Sequence, residues 1–142
     1  MAIQQISVFL ENKEGKLAEA IKAISGANVN IRALCVADTR DFGILRLITS
    51  DADKTIEVLS KENIINTTVV VAAKLEDRVG SLYYVLDILA KAGINLEYIY
   101  AFTASEDFGA YVVLRVDDAE KAECVLREKG VSTLNEDDIK DI

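Results

Sequence analysis

The chain carries one pattern of residues twice, and this internal repeat limits the folds that it can adopt. Three landmarks recur in the same order. They are Asn12-Lys13-Glu14-Gly15-Lys16-Leu17 and Asp77-Arg78-Val79-Gly80-Ser81-Leu82, then residues 27–31 and 92–96, then Asp41-Phe42-Gly43 and Asp107-Phe108-Gly109. Since similarity at a fixed period marks a repeated structural unit, we expect two like modules, residues 1–66 and 67–142. Ligand sites are favoured at junctions between domains, so the seam between the modules is a candidate site.

The composition is that of a globular chain with an acidic surface. Of the 142 residues, 51% are hydrophobic and 28% are charged. The net charge of −8 argues against binding to nucleic acid or to anionic membranes, because both need a basic face. No apolar run reaches membrane-spanning length, and the first residues do not resemble a signal peptide. We therefore expect a cytoplasmic protein.

The residue types give little support for catalysis or metal binding. Histidine is absent, which removes the commonest general base and a frequent metal ligand. Cys35 and Cys124 stand alone, so they predict no zinc site, and we expect both to be small buried side chains. The Asp-Phe-Gly tripeptide occurs in protein kinases, but no other kinase motif accompanies it, so a hairpin turn is the better interpretation. We predict no catalytic residue, no metal and no cofactor.

Each half predicts the element order β-α-β-β-α-β. The first half predicts strands at 3–9, 28–37, 44–49 and 64–67, a helix from Gly15 to Gly26, and one capped by Asp51 or Asp53. The second half predicts strands at 68–74, 94–103, 110–116 and 131–134, helices after Gly80 and from Asp117, and a tail or single turn at 135–142. Two split β-α-β crossovers give an antiparallel, ferredoxin-like α+β module with both helices on one face.

The turn before the first helix of each half is the strongest candidate binding site. A helix start offers unpaired N–H groups and a positive dipole end, which suit a carboxylate, and glycine admits close approach of a ligand. Asn12 or Asp77 could hold the ammonium group of an amino acid. The same residue types are ordinary caps and turn formers, so a structural role stays open. Asn30 and Asn95, at the start of a strand, are the second candidates, with a backbone-bonding role as the equal alternative.

Both copies resemble ACT domains, the small β-α-β-β-α-β regulatory modules of many enzymes of amino acid metabolism. The Asn/Asp-x-x-Gly-x-Leu turn and the Asn/Gly-Val/Ile-Asn-Ile/Leu segment carry the resemblance, which covers nearly the whole chain. The chain looks like the stand-alone tandem ACT proteins in particular. The resemblance implies two modules paired side by side into one extended sheet, with a small ligand, usually an amino acid, at their seam.

The resemblance also implies which residues bind the ligand. They are Asn12, Lys13, Glu14, Gly15, Lys16, Leu17 and Asn30 in the first copy, and Asp77, Arg78, Val79, Gly80, Ser81, Leu82 and Asn95 in the second. The family usually has proline before the loop glycine and sometimes histidine at the end of the first strand. Here Glu14 and Val79 replace the proline, and Leu10 and Leu75 replace the histidine.

Three functions are therefore expected, in decreasing order of support. The first is an allosteric amino acid sensor, whose expected partners are a second copy in a homodimer and an enzyme of amino acid metabolism. The second is a ligand-free assembly module or regulatory subunit that acts on a partner enzyme. The third is a small enzyme that uses Asp77, Lys16 or a tyrosine.

Overall fold

A computed structural model describes residues 2–38, 41–102 and 109–141. Two compact units form, one from Gln4–Thr68 and the other from Met1–Ile3 with Val69–Ile142. Of the repeated tripeptide, Asp107 and Phe108 lie outside the described residues. No helix in the described ranges is long and apolar enough to cross a membrane.

The first half forms a three-stranded sheet covered by two helices. Its elements are β1 (Ile3–Glu11), α1 (Lys16–Gly26), β2 (Ile31–Asp38), β3 (Phe42–Thr49) and α2 (Ala52–Leu59). Both β1 and β2 pair antiparallel with β3, so the strand order is β2-β3-β1. Alternate strand residues share a face, and one such set packs against both helices. This core contains Ile6, Val8, Leu10, Ala20, Ile24, Val29, Leu45, Leu47 and Leu59.

The second half repeats this arrangement. Its elements are β4 (Ile64–Leu75), α3 (Ser81–Lys91), β5 (Leu96–Ala101), β6 (Ala110–Val116), α4 (Ala119–Glu128) and α5 (Glu136–Asp141). The strands β4 and β5 pair antiparallel with β6. Its core contains Val71, Ala73, Val85, Ile88, Leu89, Ile94, Val112, Leu114, Val116, Ala122, Leu126 and Val131. The predicted module, an antiparallel sheet with both helices on one face, is confirmed in each half.

The fourth strand of each half differs from the prediction. Residues 64–67 and 68–74, expected as two strands, form the single 12-residue strand β4, since no glycine or proline interrupts this β-branched run. Residues 131–134 form one isolated bridge, Ala73 to Thr133, instead of a strand. Two backbone hydrogen bonds hold this segment beside β4, from the Lys74 N–H to the Ser132 oxygen (2.9 Å) and from the Leu134 N–H to the Ala72 oxygen (3.0 Å).

The expected tail is the short helix α5. Asn135 and Asp138 cap each other reciprocally, because the side-chain oxygen of each accepts the backbone N–H of the other at 2.9 and 2.8 Å. Ile139 is only 1% exposed and fixes the helix to the rest of its half. One apolar residue in an acidic segment was the signal that the prediction missed.

The helix ends follow local backbone chemistry and correct one prediction. Gly26 is the last residue of α1, as predicted, and the left-handed residue that then turns the chain is Asn28, with φ of 59°; Gly93 takes this role after α3. The helix α4 is capped by Asp118 and not by Asp117, since the Asp118 carboxylate accepts the Lys121 N–H at 3.1 Å.

The cysteine prediction is wrong for Cys124. Its thiol is exposed on α4, while Cys35 on β2 is half-buried. The Cys124 sulfur lies 3.6 Å from a carboxylate oxygen of Glu128. This hydrogen bond and the negative charge of Glu128 raise the pKa of the Cys124 thiol above its ordinary value.

Candidate functional site

The first predicted loop is a tight turn between β1 and α1. The Lys13 N–H donates to the Glu11 carbonyl oxygen (2.9 Å), and the Lys16 N–H donates to the Lys13 oxygen (3.3 Å). Gly15 precedes the helix with φ of 82°, a conformation that glycine adopts without strain. The Lys13 ammonium lies 3.0 Å from the Glu11 carboxylate. The hydrogen bond and charge of Lys13 hold the pKa of Glu11 below its ordinary value.

The second predicted loop repeats this turn between β4 and α3. The Arg78 N–H donates to the Glu76 oxygen (2.8 Å), the Ser81 N–H donates to the Arg78 oxygen (3.3 Å), and Gly80 has φ of 88°. The Arg78 Nε lies 2.8 Å from the Glu76 carboxylate. In addition, the Ser81 hydroxyl accepts the Glu76 N–H at 2.9 Å. The shared motif therefore encodes one turn geometry twice, and each turn holds an acid–base pair.

Neither Asn12 nor Asp77 caps the helix that follows it. The cap position is Gly15 in α1 and Gly80 in α3, and no side chain caps either helix. The ordinary capping role considered for these residues is therefore not what they do. The first N–H of each helix is bonded within the turn, so the N–H groups of the next two residues are the ones that remain available to water or to an anion.

The second turn borders a cavity of about 430 Å³. Its lining residues are Lys74, Glu76, Arg78, Val79, Gly80, Ser81, Tyr84, Val85, Gly130, Val131 and Ser132. The volume falls in the range of roughly 300–1,000 Å³ that small-molecule sites occupy. Four of the predicted residues, Arg78, Val79, Gly80 and Ser81, lie in this lining, whereas Asp77 and Leu82 do not.

The charged groups of the cavity are an acid and a base that touch each other. Strand register pairs Lys74 with Tyr111, whereas Ala73 pairs with the core residue Val112. The Lys74 side chain therefore lies on the sheet face away from the helices, and Glu76 and Arg78 remain as the charged side chains on the cavity side. Sequence reasoning missed Glu76, although it directly precedes the motif.

The far wall of the cavity comes from residues 130–132 and from Tyr84. The Tyr84 hydroxyl donates to the Lys129 carbonyl oxygen at 2.9 Å, which joins α3 to the end of α4. Gly130 follows the end of α4 with φ of 82° and directs the chain back to β4. No local sequence signal connects residues 130–132 to a turn some 50 residues earlier, so only the fold reveals them.

The matching position in the first half has much less space. A cavity of about 80 Å³ lies there, lined by Lys16, Glu19, Ala20, Ala23, Val58, Leu59, Glu62 and Asn63. The repeat alignment places Lys16 at the position of Ser81 and Glu19 at that of Tyr84. These two side chains form an ion pair at 3.7 Å. Asn63 stands where Gly130 does in the second half, and its amide donates to the Leu59 oxygen at 3.0 Å.

The two candidate asparagines are equivalent but remote from the turns. Both residues are exposed. The backbone N–H of Asn30 donates to Ser50 Oγ (2.9 Å), and the backbone N–H of Asn95 donates to Asp117 Oδ1 (3.1 Å). The helix between turn and asparagine has 11 residues in each half, or about 16 Å at the usual helical rise. One amino acid cannot touch both ends, so a single half does not unite the predicted residues in one site.

Asn30 borders a second cavity in the first half, of about 440 Å³. Its other lining residues are Ile21, Ile24, Ser25, Asn28, Val29 and Ile31. This lining holds no charged side chain, so it has no group that would pair with the ammonium or the carboxylate of an amino acid.

The repeated β-α-β-β-α module, with a glycine-started helix after its first strand, defines a tandem ACT-type protein. The chain belongs to the ACT domain pair family, whose sequence profile matches residues 1–142. This is a family of regulatory domains, and the resemblance seen in the sequence is confirmed.

Solved structures agree with this assignment. The chain is similar to protein BT0572 from Bacteroides thetaiotaomicron, at 38% identity and a TM-score of 0.91 over 100% of this chain and 98% of that one. The regulatory subunit of aspartate kinase from Thermus thermophilus, in its ligand-free form, shares the fold at 16% identity and a TM-score of 0.64, over 89% and 90% of the two chains. Aspartokinase alpha and beta subunits share it at 20% identity and a TM-score of 0.56, over 89% and 95%. None of the curated proteins matches this chain.

Proposed function

We propose that this chain is an amino acid sensor whose second half binds the ligand in the cavity at the start of α3. One observation carries the proposal. The cavity of about 430 Å³ combines an uncapped helix start with the Glu76–Arg78 ion pair. The positive end of a helix dipole, an acid and a base therefore border one small volume.

These groups complement the two charged ends of an amino acid. The ligand carboxylate meets the guanidinium of Arg78, which has donors beyond the Nε bound to Glu76, and it lies beside the positive end of the α3 dipole. The ligand ammonium meets the carboxylate of Glu76. This assignment gives Glu76 the role that sequence reasoning gave to Asp77.

The output passes to another protein or to a second copy of the chain. Ligand binding stabilises whichever conformation of the turn and of α3 binds it better, and this shifts the population that a partner recognises. A homodimer and a partner enzyme of amino acid metabolism remain our predictions for that partner, as does a cytoplasmic location.

Thermal unfolding in the presence of each common amino acid tests the sensor directly. A ligand at one hundred times its dissociation constant adds roughly 2.7 kcal/mol to the free energy of unfolding. For a chain of this length, each kcal/mol raises Tm by roughly 2–5 °C, so the expected rise is easily measured. A selective rise for one chemical class supports the proposal, whereas no rise for any amino acid at millimolar concentration contradicts it.

Two matched glycine variants locate the ligand. Gly15→Ala and Gly80→Ala introduce the same strain, since both residues have positive φ and an added Cβ meets no heavy atom within 4 Å in either case. Only Gly80 borders the cavity of the second half. We expect both variants to lower Tm similarly and Gly80→Ala alone to weaken binding, by about tenfold or more. An equal loss of affinity in Gly15→Ala would place the ligand at the first turn as well.

Asn95→Ala distinguishes two geometries of the ligand. Asn95 lies at the opposite end of α3 from the proposed cavity, so binding confined to that cavity is insensitive to the change. A loss of affinity without loss of stability would instead mean that the ligand contacts the asparagine end of a module, as the family resemblance implies.

A ligand-free assembly module is the second candidate function. The strand β2 hydrogen-bonds to β3 alone among the strands in the described ranges, and it exposes Leu34 and Val36 at 38% and 45%. An apolar strand with an open edge favours pairing with another strand. Under this proposal Val36→Lys weakens assembly through β2, and it lowers the mass of the assembly that sedimentation equilibrium measures. An unchanged mass would rule out assembly through β2.

A further inference from the structure

We infer that the ligand of the α3 cavity is an amino acid whose neutral side chain both donates and accepts hydrogen bonds, as a hydroxyl or a carboxamide does. This inference rests on the proposed function and names the ligand class of the same site. It follows from three hydroxyl groups that line the cavity, those of Ser81, Tyr84 and Ser132.

The charges of the cavity are taken by the two ends of the ligand. Glu76 and Arg78 together carry no net charge, and each pairs with one charged end of a zwitterion. Lys74 lies on the other sheet face, so the lining keeps no further charged side chain on the cavity side. A charged ligand side chain would therefore enter the cavity without a partner of opposite charge.

The cavity also offers little apolar surface to a ligand. Val85 and Val131 are only 1% and 8% exposed, because both belong to the core of the second half. Exposed apolar surface comes from the Tyr84 ring and from Val79 on the turn, and the cavity as a whole exposes more polar than apolar surface. An aliphatic side chain would displace water from these polar groups without replacing its hydrogen bonds, which lowers affinity.

Each of the three hydroxyls keeps hydrogen-bonding capacity for a ligand. The Ser81 hydroxyl accepts the Glu76 N–H at 2.9 Å, and its own proton has no acceptor among the described residues. The Tyr84 hydroxyl donates to the Lys129 oxygen at 2.9 Å, so its lone pairs remain available as acceptors. The Ser132 side chain is exposed and makes no hydrogen bond within the described part of the chain.

The backbone places these hydroxyls around one volume. Ser81 and Tyr84 are three residues apart on α3, so they lie on the same face of the helix. The Tyr84 hydroxyl reaches the end of α4, directly before the segment 130–132, and the Lys74 N–H holds this segment through the Ser132 oxygen. A neutral group that accepts from Ser81 and donates to Tyr84 can therefore take the place of water at both hydroxyls.

The first half supports the same interpretation by contrast. The positions of the three hydroxyls are held there by residues without one, Lys16, Glu19 and Ile65. Since the turn geometry is the same in both halves, the hydroxyls are not a requirement of the repeated turn. The space in the first half is also only about 80 Å³, so we expect one ligand for each chain.

Calorimetric titration with ligands of matched shape tests the ligand class. Asparagine is matched by aspartate and leucine, glutamine by glutamate and homoleucine, and threonine by valine. In the set that binds most tightly, the neutral polar member should bind at least about fivefold tighter than its counterparts, because each net hydrogen bond contributes roughly two- to tenfold in affinity. One site per chain is expected.

Hydroxyl deletions identify the groups that select the ligand. The double variant Tyr84→Phe, Ser132→Ala keeps the aromatic ring and should reduce the preference for the neutral polar ligand over its apolar counterpart to about twofold or less. Tyr83→Phe, at a residue that is 71% exposed and outside the lining, is the matched control and should leave the preference unchanged. The preference is a ratio of two affinities for one variant, so the lost hydrogen bond to Lys129 affects both ligands alike.

The outcomes separate this inference from the proposed function. Equal or weaker binding of the neutral polar member, or a larger rise in Tm with any charged or apolar amino acid, overturns the ligand class and leaves the sensor standing. An unchanged preference in the double variant also overturns the inference, since other groups would then select the ligand. If no amino acid binds at all, both fail.

Discussion

The assignment of Asp117 and Asp118 to different tasks leads to a quantitative prediction. Asp118 caps α4 through the Lys121 N–H (3.1 Å), whereas Asp117, at the end of β6, accepts the N–H of Asn95 (3.1 Å), just before the start of β5. The first half repeats both contacts with Asp51 as the cap and Ser50 as the strand-end acceptor. The chain thus offers two independent tests of each role.

The expected losses in the free energy of unfolding differ between the two roles. A cap residue bonds an N–H group in the first turn of a helix, whereas water can replace the acceptor of an exposed N–H beside a strand. Asp118→Ala and Asp51→Ala should each lower the free energy of unfolding by about 1 kcal/mol, within the usual range of roughly 0.5–2 kcal/mol. Asp117→Ala and Ser50→Ala remove one hydrogen bond at an exposed N–H, and should cost about 0.5 kcal/mol. The change in Tm is then roughly 2–5 °C for a cap and about half of that for a strand-end residue.

Urea unfolding followed by circular dichroism measures these values, with equal m-values as the requirement for comparison. Asp118→Asn is the control, because asparagine caps a helix about as well as aspartate and should retain near wild-type stability. A greater loss in Asp117→Ala than in Asp118→Ala would refute the reasoning, and would mean that α4 begins where the sequence pattern placed it.

Three further predictions follow from single contacts. Ile139→Ala removes the buried anchor of α5 and should cost about 2–5 kcal/mol in chemical unfolding; a cost below 1 kcal/mol would show that the helix is not docked. Because Glu128 raises the pKa of Cys124, Glu128→Gln should shift the pH midpoint of thiol alkylation downward, and an unchanged midpoint would contradict that cause. The hydrogen bonds to Ser50 and Asp117 are made by the backbone N–H groups of Asn30 and Asn95, not by their exposed side chains. Replacing either asparagine by alanine should therefore change the free energy of unfolding by less than about 0.5 kcal/mol, and unfolding of either variant would make that asparagine structural.

The turns show how far local chemistry reaches. The paired motifs predicted one loop geometry in both halves, and the structure has it, with Gly15 and Gly80 at φ of 82° and 88°. The prediction succeeds because a positive φ before a helix depends on the glycine and its immediate neighbours. The predicted start of α4 at Asp117 is wrong by one residue. Two adjacent aspartates are equivalent as helix caps in the sequence, and the tertiary contact with Asn95 selects between them.

The candidate site shows where the local argument ends. The predicted residues Arg78, Val79, Gly80 and Ser81 line the cavity of the second half, but the prediction also joined the turns to Asn30 and Asn95, which lie a helix length away. Neither Tyr84 nor residues 130–132 carried a signal, since their shared position arises from the Tyr84 contact with Lys129 and from the bridge between Ala73 and Thr133.

The sequence by itself determined the two modules, their helices and most of their strands, and the paired turns, because alternation, helical spacing and glycine conformation act over a few residues. Only the tertiary structure decided how much space lies beside each turn. Two copies of one motif form the same backbone turn, but the space beside it depends on whether Tyr84 and Gly130, or Glu19 and Asn63, pack there from other parts of the fold.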